Sequence, residues 1–172
     1  KGKEQVDATV AFKPTVTIAL DFLFWYVYRP TDADERMASL EQGLSELARV
    51  EGPLAFGDVP DMAGASERML SMAARPGAEE LVRMNARVRA WAAERAQREV
   101  TAVLPLGEWS ARLGTGERVD VGDGEIIDAE DMMFVDGLHV NVLGLWWMLR
   151  EMDGVMEREM GAVEAEVQFR RP

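Results

Sequence analysis

The sequence predicts a single α/β domain, a three-layer α/β/α arrangement with a parallel sheet between helices. Three observations carry the prediction. Apolar runs rich in β-branched residues at 15–25, 53–58 and 100–104 are largely continuous rather than alternating, as in strands covered on both faces. Stretches with helical spacing of apolar residues separate these runs and follow the last of them. Such alternation of strand and helix is the signature of parallel strands joined by right-handed crossovers. A length of 172 residues fits one domain, spanning 1–172, around one core.

The elements follow in order. Residues 1–5 carry no initiating Met, signal peptide or capping signal, and the chain is expected to enter a core strand within a few residues. Such a start reads as a chain cut upstream, so the sheet is expected to lack its first strand or strands. Pro14 leads into the first run, and Arg29-Pro30-Thr31-Asp32 ends it, with Thr31 or Asp32 capping the next helix. Along that helix Met37, Leu40, Leu44 and Leu47 form one apolar face, and Glu51-Gly52-Pro53 stops it before the second strand. Residues 63–78 make a long Met-rich connection, a length often tied to function. A helix resumes at Glu79 with Leu81, Met84, Val88 and Trp91 on one face, and leads into the third strand, which Pro105 stops.

Beyond Pro105, residues 108–113 suit a short exposed helix, and 119–127 a hairpin about the Asp123-Gly124 turn. The last helix is expected from Asn141 towards Met160, with Val142, Leu145, Leu149, Met152 and Met156 as its inner stripe and Trp146, Trp147 and Met148 widening it. Residues 161–172 read as a charged, frayed tail.

Composition narrows the function classes. A net charge of -12 disfavours nucleic acid and anionic lipid as partners, because phosphate attraction needs clustered Lys and Arg. Without cysteine there is no disulfide framework and no thiolate metal site, and a lone histidine disfavours a zinc site, whose remaining ligands would all have to be carboxylates. No apolar run approaches the roughly 20 residues of a membrane span. A soluble protein is expected, with its compartment unassigned. No strand is followed by a glycine-rich phosphate loop, which disfavours a nucleotide binder. Ligands of parallel sheets bind beyond the carboxyl ends of the strands, where Asp21, Asp58, Asp61 and His139 are all expected.

The one histidine lies in Asp136-Gly137-Leu138-His139-Val140-Asn141-Val142-Leu143-Gly144, on a loop before a helix. Histidine is the side chain whose ordinary pKa, ~6.5, suits proton transfer near neutrality, and a neighbouring carboxylate can fix its tautomer. This stretch resembles the last motif of the SGNH/GDSL hydrolase superfamily, Asp-Gly-x-His-Pro-Asn-x-x-Gly, matched at Asp136, Gly137, His139, Asn141 and Gly144 with Val140 in the place of proline. Asn85 to Ala92, leading into the third strand, is also similar to that family.

The resemblance implies a flavodoxin-like sheet and a Ser-His-Asp triad acting on an ester or acyl bond, with no metal and no organic cofactor. It casts His139 as general base and Asp136 as the group that orients it. Asn141, Asp21, Asp58 and Asp61 become candidates for lining the cleft. The family's Gly-Asp-Ser nucleophile motif has no counterpart here, so the serine is expected upstream of Lys1. The Gly-x-Asn-Asp motif is missing too, and Asp21 stands at the corresponding strand end, where an ionised carboxylate cannot donate to an oxyanion. Ala55-Phe56-Gly57-Asp58-Val59 imitates the nucleophile turn with valine for serine, but a strand already precedes it, which favours plain turn roles for Asp58 and Asp61.

The five serines are Ser39, Ser45, Ser66, Ser71 and Ser110; none sits on a tight strand-to-helix turn. Ser66 and Ser71, on the Met-rich connection, are the two that could approach a cleft. The expected partners are a small-molecule ester or acyl substrate and, along an uncovered sheet edge, the upstream segment or another chain. The alternative is a hydrolase fold without its nucleophile, serving as a binding or scaffold module.

Overall fold

The computed structural model describes residues 2–30, 32–122 and 124–161. The expected frayed tail therefore lies outside the described residues beyond Gly161, as do Thr31 and Asp123. The chain opens with α1 (Gly2–Phe12), then β1 (Thr17–Ala19), α2 (Phe24–Val27), α3 (Ala33–Leu47), β2 (Leu54–Gly57), α4 (Ala78–Ala96) and β3 (Thr101–Leu104). After β3 come α5 (Leu106–Gly114), the strands β4 (Arg118–Gly122) and β5 (Glu125–Asp128), and α6 (Val142–Met160). The fold is mixed α/β. Strands β1, β2 and β3 form a parallel sheet in that order, with Thr17 opposite Leu54 and Leu54 opposite Thr101.

Strand alternation sends side chains to two cores. Leu54 and Phe56 of β2 pack with Leu40, Leu44 and Leu47 of α3 and Leu81, Met84 and Val88 of α4. Ala55, Ala102 and Leu104 point the other way, into a cluster with Trp109 and Leu113 of α5, Val119 and Val121 of β4, and Trp147 of α6. Both crossover helices, α3 and α4, thus share one face, as crossovers of one hand require for strands in sequential order. Strands β4 and β5 pair antiparallel as a separate hairpin.

Several expectations need correction. The run at 15–25 is not one strand: β1 ends at Ala19, and the chain turns into the one-turn helix α2. The i, i+4 ring pairs explain this, with Phe22 and Tyr26 centroids 5.3 Å apart and Phe24 stacked on Tyr28 at 4.6 Å. A continuous apolar run hides that spacing, because strand and helix readings fit it equally.

The N-terminus does not enter a core strand. Helix α1 precedes β1, anchored by buried Val6 and by the Asp7–Arg49 ion pair.

The inner stripe of α6 is rotated from the expected one. Gly144, Trp147 and Val155 are buried, whereas Val142 and Leu145 remain 63% and 48% exposed. So many apolar residues surround this helix that its spacing alone does not select a face. At the other edge of the sheet β1 pairs, among the described residues, only with β2, and Phe12 and Ile18 beside it are exposed.

Candidate functional site

A cavity of about 590 Å³ lies at the carboxyl ends of the three parallel strands. Leu20 and Asp21 after β1, Pro60 and Asp61 after β2, and Leu106 after β3 all contribute to its wall. Gly57 makes this convergence possible, since a Cβ there would overlap the Leu20 carbonyl oxygen. The glycine in the imitation of the nucleophile turn is thus explained by close packing of β1 on β2. Val59, in the serine's place, is fully buried in the core.

The loop beyond β2 is fastened from three sides. Asn85 Oδ1 accepts from the Val59 N–H at 2.8 Å, and Asn85 Nδ2 donates to the Val59 carbonyl at 2.9 Å. Asp58, 1% exposed, accepts from the Gly107 N–H at 2.8 Å and from Arg89 Nη2 at 3.2 Å. Burial pushes its carboxyl up to about 6, against the lowering effect of the Gly107 amide and of Arg89. Tyr28 donates its hydroxyl proton to the Pro60 carbonyl at 2.5 Å, and Ser110 Oγ accepts from the Asp61 N–H at 2.8 Å. Asp61 closes a local turn by accepting from the Ala63 N–H at 2.8 Å.

His139 lines the same cavity from the loop before α6, with its side chain 59% exposed. Its Nδ1 lies 2.8 Å from Asp136 Oδ2. Asp136 Oδ1 accepts from the backbone N–H groups of Leu138 and His139, both at 2.9 Å. The His139 amide, the imidazole contact and the Leu138 amide together hold the Asp136 carboxyl down at about 2. An ionised carboxylate only accepts, so Nδ1 carries the proton and Nε2 is left as the basic nitrogen.

The other matched residues of this motif shape the loop. Gly137 has φ +63°, and a Cβ there would also overlap the Gly64 carbonyl oxygen. Ser66 N–H donates to the Asp136 carbonyl at 2.8 Å, tying this loop to the Met-rich connection. Asn141 is the N-cap of α6, accepting from Leu143 and Gly144 amides at 2.9 and 3.1 Å and donating to the Asp131 carbonyl at 2.6 Å. Gly144 lets the Met132 carbonyl oxygen approach to 2.5 Å of where a Cβ would stand.

Of the residues expected at the cleft, Asp21, Asp61 and His139 meet on the wall, with Asp136 behind His139. Asp58 and Asn141 are absent from the wall: one is a buried tie to α5, the other a helix cap. Helix α5 was expected to be exposed, yet Leu106, Trp109 and Leu113 are buried and Ser110 lines the cavity. The i, i+3, i+7 spacing of those three apolar residues was the sign of this. Ser66 and Ser71 stay off the wall. Among the described residues no serine hydroxyl bonds His139, and no group of three or more acidic, His or Cys side chains is placed to hold a metal. No helix there is long and apolar enough to cross a membrane. Comparisons with protein-family models, curated proteins and solved structures return no match for this chain.

Proposed function

We propose that this chain forms part of a serine hydrolase of the SGNH/GDSL type, on a three-layer α/β/α fold, acting on a small-molecule ester or acyl substrate. The observation that carries the reading is the Asp136–His139 pair, 2.8 Å apart on the wall of a cavity beyond the strand ends. In this reading the nucleophile is a serine on a segment preceding Lys1 in a longer protein, paired along the edge of β1 away from β2. His139 Nε2 takes the serine proton as Oγ bonds to the acyl carbon. The Nε2–H then protonates the leaving alkoxide as its bond to that carbon breaks. Water repeats both steps to release the acid. Asp136 keeps Nδ1 protonated and stabilises the imidazolium.

The test is ester turnover by a protein that includes the upstream segment. His139→Ala should lower it by about three to four orders of magnitude or more, and Asp136→Asn by a comparable factor with the fold intact. A fully active His139→Ala protein would sink the reading.

A second reading, a hydrolase fold serving as a binding or scaffold module, is favoured by one observation: Ser110, on the cavity wall, has its hydroxyl committed to Gly107 and Asp61. Failure of the longer protein to label with a serine-reactive fluorophosphonate would select it.

A further inference from the structure

We infer that the cavity takes a medium- or long-chain alkyl or acyl group, and that acetyl esters are poor occupants; as a statement about substrate this rests on the hydrolase reading. Size is the first argument. A volume of about 590 Å³ is on the order of twenty water volumes, many more than an acetyl group fills, and within the range of sites for drug-sized ligands.

Polarity is the second argument. Asp21, Arg29 and His139 on the wall are exposed, and Asp61 is half-buried with its carboxylate engaged by the Ala63 N–H, whereas the buried part of the wall is Tyr28, Pro60, Leu70, Leu106, Trp109 and Leu113. The wall's two hydroxyls are already engaged, Tyr28 with the Pro60 carbonyl and Ser110 with the Gly107 carbonyl. A polar chain entering the floor would therefore leave its own groups unpaired, while an alkyl chain has none to satisfy.

The third argument is adaptability. Met62, Met69, Met133 and Met148 all face the cavity. Thioether side chains repack at little cost, which suits a flexible chain of variable length. Trp25 and Met69 carry the apolar wall out to solvent, so a chain meets apolar surface before it is enclosed.

The experiment is calorimetric titration of the 172-residue chain with 1-alkanols from ethanol to decanol. Affinity should rise about fourfold per methylene until the cavity is filled. Gly114→Phe is the blocking variant. Gly114 lines the cavity, has no positive φ, and a Cβ there meets nothing within 4 Å. The variant should bind decanol at least about tenfold more weakly with unchanged circular dichroism and melting temperature. Should Gly114→Phe unfold, Met69→Glu on the exposed wall serves instead, with the same expectation. Affinity independent of chain length, no binding at all, or undiminished decanol binding by a folded variant would overturn the inference. The hydrolase reading fails separately, through absent turnover and labelling in the longer protein, and that result would leave the alkanol series unaltered.

Discussion

Asn85 holds both polar groups of the Val59 backbone, accepting from its N–H at 2.8 Å and donating to its carbonyl at 2.9 Å. Both residues are buried, so the two Val59 groups lose their partner away from bulk solvent if the amide is removed. Asn85→Ala should cost about 2–4 kcal/mol, the sum of two buried backbone groups left unpaired. Asn85→Asp retains the acceptor and loses the donor, and should not restore stability. Urea denaturation of both variants checks this; an Asn85→Ala loss below about 0.5 kcal/mol would contradict it.

Because the chain has a single histidine, imidazole nitrogen-15 spectra need no further assignment. The neutral ring should be the Nδ1–H tautomer, since Asp136, held down at about 2, is an acceptor throughout the neutral range. Asp136→Asn should abolish that bias. A wild-type spectrum dominated by Nε2–H would show that the pair is not set up for base catalysis.

Asp58 gives a pH signature. Its carboxyl rises from the ordinary 3.8 to about 6 in the fold because burial opposes its charge. Between those values the native state holds more protons than the unfolded chain, so this group's stabilising contribution grows as pH falls through about 6. It is complete below 3.8 and lost above about 6. Asp136 works in the opposite sense, and only towards about 2. The difference in melting temperature between wild type and Asp58→Asn should therefore move in favour of wild type from pH 7 to pH 4.5. A difference constant over that range would refute the assignment.

Gly137→Ala should strain the His139 loop twice, through a φ of +63° and through overlap with the Gly64 carbonyl. A stability loss of about 1–2 kcal/mol from the backbone alone is expected. The Nδ1–H signal should broaden or shift in the same variant as the loop moves. Unchanged melting together with an unchanged histidine spectrum would argue that the loop tolerates a Cβ.

Asn141→Ala removes the N-cap of α6 and should cost about 1 kcal/mol in thermal unfolding. Asn141→Asp should recover most of that loss, because the carboxylate accepts the same two amides and favours a helix N-terminus. No recovery would place the Asn141 contribution in its bond to Asp131 instead.

Much of this architecture could be read from the chain. The three parallel strands and helices α3, α4 and α6 follow from periodicity and stops such as Gly52-Pro53 and Pro105. The Asp136–His139 contact was legible because their spacing lets one tight loop deliver both side chains. What escaped depends on tertiary context. Phe22 and Tyr26 look like strand residues until their rings are seen paired across a helical turn. Ser110 looks solvated until α5 is packed by Trp109 against Trp147, with ring centroids 6.2 Å apart. The partner choices of Asn85 and Asp58 join loops 26 and 49 positions away, separations that no local pattern encodes.

The side of β1 that faces away from β2 has a spectroscopic use. In a parallel pair alternate residues bond the neighbour, and Thr17 donates to the Pro53 carbonyl, so the Ile18 amide faces outward. In this chain that proton should exchange with deuterium far faster than the amides of Leu54 and Asp58, which donate to β3 and its flank. Any polypeptide that completes the sheet there would slow it. The exchange rate of one amide thus reports, without enzymology or a known substrate, whether the edge of the sheet is occupied.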